Sequence, residues 1–170
     1  MGKEPQETTI LNREFSSGGV VFKKVNGKVL WLTRKTAASA LYPKQYWMLP
    51  KGRIDDAEGD LPGPMASGKK RADEESLRSA ALREVAEEGG VEARIIDKIE
   101  TLKYSFNHPL HGGTLKFATF YLMEWESDLP EGFDDETSEI KWLPFEEAFK
   151  TLTFSGEKQV LKKAKNLLPL

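Results

Sequence analysis

Glu84, Glu87 and Glu88 are set at i, i+3 and i+4 and carry the densest chemistry in the sequence. On a helix they fall within roughly 100° of one face. Leu77, Ala80 and Ala81 occupy the same stripe one to two turns earlier, so an apolar face turns acidic without changing direction. Carboxylates at these spacings repel one another. They also crowd the C-terminal end of a helix, where the macrodipole disfavours negative charge. No Lys or Arg lies between Glu84 and Gly90 to neutralise them. A hard divalent cation with oxygen ligands removes the penalty, and Mg²⁺ binds through carboxylates together with substrate phosphates. The competing reading is a solvated acidic helix end. Position at the wrong helix end and continuity with the apolar stripe decide against it.

The remaining residue types narrow the reaction. Cysteine is absent, which excludes disulfides, thiolate metal sites and a thiol nucleophile. Both histidines, His108 and His111, sit in a turn from Asn107 to Gly113 and have no serine–histidine setting. A zinc site needs more ligands than this pair, so they belong to a substrate-side loop or plain surface. What remains is carboxylates, the strand-to-loop glycine Gly52 and several cations. That set fits metal-assisted hydrolysis of a phosphate linkage, in which a metal lowers the pKa of bound water and polarises the phosphoryl group. A carboxylate accepts the water proton, and basic side chains offset charge on a polyphosphate. A net charge of −2 carries no global nucleic-acid or membrane signature.

These residues need elements to hold them. The acidic helix begins near Glu74 and is stopped by Gly89-Gly90. Ser16 to Phe22 reads as a strand with Gly18 and Gly19 at its centre, where glycine marks close approach by a ligand or another backbone. Asn26-Gly27 is a hairpin turn, and Val29 to Arg34 is the returning strand. Lys35 to Tyr46 reads as a loop and Trp47 to Pro50 as a short strand. Residues 53–73 hold Gly59, Pro62, Gly63, Pro64 and Gly68, too many breakers for a regular element. The basic run Lys69-Lys70-Arg71 within them is solvated surface or an attractor for polyphosphate. Val91 to Ile96 reads as a strand, and Leu102, Tyr104 and Phe106 alternate with polar residues as in a half-buried strand. Thr114 to Trp125 is apolar on both faces, as in a central strand. An acidic loop, Glu126 to Ser138, precedes a strand from Ile140 to Leu143 and a short helix after Pro144. The last helix begins near Ser155 with the stripe Val160, Leu161, Ala164, Leu167 and Leu168. Strands interleaved with a few helices predict a mixed α/β layered domain. The polar first 13 residues lack the apolar core of a signal peptide, and no apolar run approaches the ~20 residues that span a bilayer. The expectation is a flexible arm over residues 1–13, one cytoplasmic domain over 14–170 and no membrane or nucleic-acid partner.

Arg83-Glu84-Val85-Ala86-Glu87-Glu88-Gly89-Gly90-Val91 resembles the Arg-Glu-apolar-x-Glu-Glu-x-Gly-apolar core of the Nudix hydrolase box. Glu75 stands where the box has a Glu eight residues before its Arg, and Leu49-Pro50-Lys51-Gly52 supplies the opening Gly after a strand. The family usually puts five residues between that Gly and that Glu. This chain has 22, residues 53 to 74, an insertion of 17 in the loop before the helix. The flanking pattern extends the resemblance from about Ser16 to Leu168. It implies an α/β/α sandwich with a mixed sheet. It also implies Mg²⁺, with Mn²⁺ as a substitute, on Glu84, Glu87, Glu88 and the Lys51 carbonyl. Arg83 and Glu75 would support those glutamates. The general base would be Glu84 or a late-loop Glu, for which Glu136 stands ahead of Glu139.

Lys51 before the box glycine and Trp47 four residues earlier resemble the branch holding diadenosine tetraphosphate and diphosphoinositol polyphosphate hydrolases. Trp142-Leu143-Pro144, Glu146-Glu147-Ala148, Phe154 and a lysine-rich closing helix look like the same branch. The implied reaction is hydrolysis of a nucleoside diphosphate linked to another moiety. Dinucleoside polyphosphates are preferred because basic content near the site is modest for an inositol bearing many phosphates. A diphosphoinositol polyphosphate, a nucleotide sugar or a nucleoside triphosphate is the alternative, and a silent nucleotide-binding module is the alternative of another class. Arg34, Lys44, Arg53 and Lys116 are the candidate phosphate contacts. Tyr104 or Phe106 is the candidate adenine stack, against the plainer reading of each as core. For Arg34 the plainer reading is a solvated strand-end cation.

Overall fold

The structure, a computed structural model, describes residues 12–54, 73–108 and 112–168. Its frame is a pair of long parallel strands, β1 (Asn12–Val25) and β6 (Gly112–Asp128), in register from Asn12↔Thr114 to Phe22↔Glu124. Asn26 and Gly27 take φ of 49° and 78°, the conformation a tight primed turn requires. That turn returns the chain into β2 (Lys28–Thr36). Next come β3 (Trp47–Met48), β4 (Lys51–Arg53), α1 (Glu74–Gly89), β5 (Val91–His108), β7 (Thr137–Leu143), α2 (Phe145–Thr151) and α3 (Ser155–Leu167). The sheet runs β3-β2-β1-β6-β5, with β4 added to β1 and β7 to β2, giving seven strands.

Alternation along β1 and β6 divides the core between two faces. Val21, Leu32, Tyr121 and Met123 pack under Ala81 and Val85 of α1. Val20, Phe22, Phe120 and Leu122 pack under Ala148 of α2 and Val160, Leu161 and Ala164 of α3. Helices on both faces of a mixed sheet make the α/β/α sandwich.

β1 shares one edge between two partners, pairing β4 over Ser16 to Gly18 and β2 over Phe22 to Val25. The glycines at its centre make this division fit. A Cβ on Gly18 would lie 2.1 Å from the Pro50 carbonyl oxygen, and one on Gly19 would lie 2.7 Å from Val85 Cγ2. The close approach is by protein atoms on both sides.

Several boundaries differ from the expected ones. β1 starts at Asn12, inside the expected arm, because the parallel ladder with β6 continues that far. β2 runs on to Thr36 through bonds to β3 and β7. Of the expected strand Trp47 to Pro50 only Trp47 and Met48 form a strand, β3 on β2, and a second strand, β4 on β1, begins after it at Lys51. β5 is one strand from Val91 to His108, interrupted by three register shifts. Two of them insert a residue into β5, Ile96 and Ile99, and flip its alternation, so no single period runs through it; the third places the extra residue, Glu126, on β6. β7 begins at Thr137. Leu168 lies beyond α3, and Leu167 is exposed rather than on the buried stripe. His111, the basic run Lys69-Lys70-Arg71 and residues 55–72 of the insertion lie outside the described residues. Among the described residues no helix is long and apolar enough to cross a membrane.

Candidate active site

α1 delivers its acidic end to the strand β4. Asp73 caps the helix by accepting the Ser76 N–H at 2.7 Å. Ser17 of β1 donates its hydroxyl to the Leu77 carbonyl at 2.6 Å. At the far end Gly90 adopts φ 70° and donates its N–H to Ala86. A Cβ there would also meet the Phe133 nitrogen at 2.7 Å, so two requirements select glycine. The last turn contains no basic residue.

Gly52 is the contact point. A Cβ on it would lie 2.1 Å from the Glu84 carboxyl carbon, so the carboxylate reaches the strand only because the side chain is missing. Glu84 is buried, and burial raises its pKa. The Arg83 hydrogen bond opposes that shift, while the charges of Glu87 and Glu136 add to it. Arg83 Nη2 donates to Glu84 Oε1 at 3.2 Å and to the Arg53 carbonyl at 3.1 Å. Its Nε lies 3.9 Å from Glu87 Oε1. Arg83 thus ties two glutamates of α1 to β4. Glu75 does not join it. Eight residues earlier it stands about 80° round the helix, exposed, with no hydrogen bond or ion pair among the described residues.

Glu88 is buried and accepts the Lys51 N–H at 2.9 Å. Burial pushes its pKa up to about 8, against the pull of Arg34 and the Lys51 hydrogen bond. Bonds between β1 and β4 fall at Gly19 N–H to Pro50 and Ile54 N–H to Phe15. Lys51, opposite Gly18, therefore occupies a non-hydrogen-bonded position of the ladder. Its carbonyl is not taken up by β1 and faces the same side as its N–H, toward Glu88.

Arg34 is not a solvated strand-end cation. It is 5% exposed, lies 3.5 Å from Glu88, and donates to Thr137 Oγ1 and the Glu136 carbonyl, each at 2.8 Å. The Thr137 hydroxyl donates in turn to the Glu88 carbonyl at 2.8 Å. Asp134 N–H donates to the Glu87 carbonyl at 2.7 Å. The late loop is therefore bonded to the end of α1, and the Glu136 side chain comes close enough to Glu84 to raise its pKa. Glu139 instead pairs across from Lys35 in β7 and is exposed.

The donor set suits a hard dication. Glu84, Glu87, Glu88 and the Lys51 carbonyl offer oxygen only, and Mg²⁺ takes one or two carboxylates together with waters and phosphates. As the side chains stand, no three carboxylate or imidazole groups among the described residues converge on one point. Glu88 is engaged by Lys51 and Arg34, while Glu87 remains exposed beside Arg83.

A second cluster lies on the opposite face of the sheet, across β1, β6 and β5. Lys116 faces Glu14 on one side and Tyr104 on the other. Its Nζ is 3.9 Å from Glu14 Oε1 and 5.9 Å from the Phe106 ring centroid. Burial and the nearby Lys51 charge bring its pKa down to about 8. Tyr104 and Phe106 lie 6.4 Å apart, and burial raises the Tyr104 pKa against the pull of Lys51. The fold thus gathers Tyr104, Phe106 and Lys116 beside Lys51. Arg53 is exposed at the end of β4, near Tyr42. Lys44 is exposed on the 37–46 loop and makes no hydrogen bond or ion pair among the described residues. A hollow of about 560 Å³ between α1 and β5 is lined by Glu75, Arg78, Leu82 and Arg94 among others, and contains none of Glu84, Glu87 or Glu88.

Sequence reasoning missed Glu157. It is 4% exposed and ion-paired to Lys51 Nζ at 3.0 Å. Its signal was legible: Glu157 stands on the stripe of Val160, Leu161 and Ala164, at i, i+3, i+4 and i+7. An acid on a buried stripe needs a cation.

Among solved structures the chain is similar to a binary complex of the C. elegans Ap4A hydrolase, at 22% identity and TM-score 0.63 over 90% of this chain and 96% of that one. It is also similar to the NUDIX domain of Shewanella oneidensis NrtR complexed with ADP ribose, at 15% identity and TM-score 0.60 over 99% and 95%. At these identities the likeness is one of fold. The MutT4 protein of Mycobacterium tuberculosis is 25% identical over 164 residues, 91% of this chain. The chain spans 56% of that curated relative's length. The family model of the NUDIX domain matches residues 15–164. With that match over most of its length, and with Glu84 seated on Gly52, the chain belongs to the NUDIX domain family.

Proposed function

We propose that the protein is a Mg²⁺-dependent phosphoanhydride hydrolase, with a dinucleoside polyphosphate such as diadenosine tetraphosphate as its substrate. The observation that carries this reading is the buried Glu84 carboxylate set against Gly52, with Glu87 and Glu136 close enough to act on its charge. Glu84, Glu87, Glu88 and the Lys51 carbonyl would hold the metal. Once bound, it would lower the pKa of a bound water and polarise the phosphoryl group.

This chain's own residues do the rest. Arg83 and Lys51 hold Glu84 and Glu88 in place through the bonds described. Glu136, on a loop tied to α1, accepts the water proton, and Glu84 is the other candidate for that role. Lys116 offsets phosphate charge, and Tyr104, half turned to solvent, offers a face for adenine. The fold-level likeness to an Ap4A hydrolase supports the choice of substrate.

Product analysis with Mg²⁺ and a panel of phosphoanhydrides tests the reading. The panel holds diadenosine tetraphosphate, a nucleoside triphosphate, a nucleotide sugar and a diphosphoinositol polyphosphate, with Glu87→Gln as control. Conversion of diadenosine tetraphosphate to ATP and AMP, lost in the control, is the expected result. Faster turnover of another member keeps the mechanism and replaces the substrate. Nucleotide binding without hydrolysis would replace the enzyme with a nucleotide-binding module.

A further inference from the structure

We infer that Glu157, on α3, is a positioning residue for the metal-holding backbone of β4, an inference that rests on the metal-dependent reading above. Between Met48 and Lys51 the chain leaves its pairing with β2 and joins β1. Leu49 is fully buried in this crossing. Its N–H needs an acceptor there, and donates to Glu157 Oε1 at 2.8 Å. The other carboxylate oxygen takes Lys51 Nζ at 3.0 Å. One carboxylate therefore grips both Leu49 and Lys51. Lys51 is the residue whose N–H holds Glu88 and whose carbonyl faces the same side. Thr153, just before α3, adds a second grip. Its hydroxyl accepts the Trp47 N–H and its N–H donates to the Trp47 carbonyl, each at 2.9 Å.

Packing alone does not call for this arrangement. Glu157 occupies the stripe by which α3 covers the sheet, where an apolar side chain would serve. A buried ion pair stabilises no better than a hydrophobic pair of similar volume. It is a poor way to hold α3 down and an effective way to fix where the Lys51 backbone lies. The metal ligands reside on β4 and α1, yet the C-terminal helix sets the position of one of them.

The test is direct Mn²⁺ binding to the full chain without substrate, read as free Mn²⁺ by electron paramagnetic resonance. The variant Lys51→Met with Glu157→Gln removes both charges, while glutamine can still accept the Leu49 N–H. Glu157→Asp keeps the charge and shortens the grip, and serves if the double variant does not fold. Leu161→Ala is the control, destabilised elsewhere on α3. The double variant and Glu157→Asp should each bind Mn²⁺ about tenfold or more weakly, and their hydrolysis should need correspondingly more Mg²⁺. Leu161→Ala should keep wild-type Mn²⁺ affinity despite a lower Tm. Unchanged affinity in the Glu157 variants, or equal weakening in Leu161→Ala, overturns the positioning role. If the wild type itself binds no Mn²⁺, the metal-dependent reading falls, and this inference with it.

Discussion

A single missing side chain brings Glu84 to β4. Gly52→Ala would drive a methyl group into the Glu84 carboxylate. That carboxylate is pinned by Arg83 rather than free to swing. The expected cost is about 1–3 kcal/mol of stability, together with loss of hydrolysis out of proportion to the change in Tm. Turnover within a few fold of wild type would show that Glu84 need not sit there. Glu87→Gln should behave oppositely. It relieves repulsion at the wrong end of the helix, so thermal stability should hold or rise by a few tenths of a kcal/mol while Mg²⁺-dependent turnover disappears. Glu136→Gln should slow hydrolysis and leave Mn²⁺ affinity alone; a negligible effect on rate would pass the base to Glu84.

Lys116 gives a pH-dependent consequence at the same scale. Its folded pKa, about 8, lies below the ordinary lysine value of 10.5. Below about pH 8 both folded and unfolded chains carry this proton, and the cost of burying the charge is fully present. Between pH 8 and 10.5 the unfolded chain binds more protons, so stability contributed by this group rises with pH. Lys116→Met takes this cation from Glu14 at every pH, so the substitution should be more favourable near pH 7 than near pH 10, by about 1–3 kcal/mol. Denaturant midpoints at the two pH values measure the difference.

At the scale of elements, the site depends on how the late loop and β7 join the end of α1. Arg34 is the joint. It faces Glu88 and binds both the Thr137 hydroxyl and the Glu136 carbonyl. Arg34→Met would push the Glu88 pKa up further and leave the Thr137 hydroxyl and the Glu136 carbonyl without their donor, a loss of about 1–3 kcal/mol. It would also free the start of β7, so any fraction that folds should hydrolyse slowly. Full activity in a stable Arg34→Met protein would mean that the loop reaches the site without this joint.

For the whole molecule, the proposed site exists only where α1, β4 and the late loop are assembled, so metal and substrate would bind the folded state alone. Binding to the folded state alone adds stability by mass action, about 2.7 kcal/mol at a ligand concentration of 100 Kd. Mg²⁺ with a non-hydrolysable dinucleoside polyphosphate should raise Tm more than either alone. In Glu87→Gln the increment due to the metal should vanish.

What the sequence alone determined is local. The i, i+3, i+4 spacing put three carboxylates on one helical face, and Gly90 marked where that helix stops. Asn26-Gly27 made its hairpin, and apolar continuity made β6 central. Each follows from the period of one element or from one residue's allowed backbone angles, both of which act over a few residues. The tertiary structure decided the matters in which two distant elements share one atom or one gap. Gly18 reads only as a glycine within a strand until Pro50 crosses it. Arg34 ends a strand in sequence, yet is buried because Glu88 and Thr137 close over it. β5 hides its period in two inserted residues, Ile96 and Ile99, set by its pairing with β6. Glu157 stands 106 residues from Lys51. Its acid on a buried stripe called for a cation, but only the packing of α3 against the β3–β4 crossing decided which cation answers.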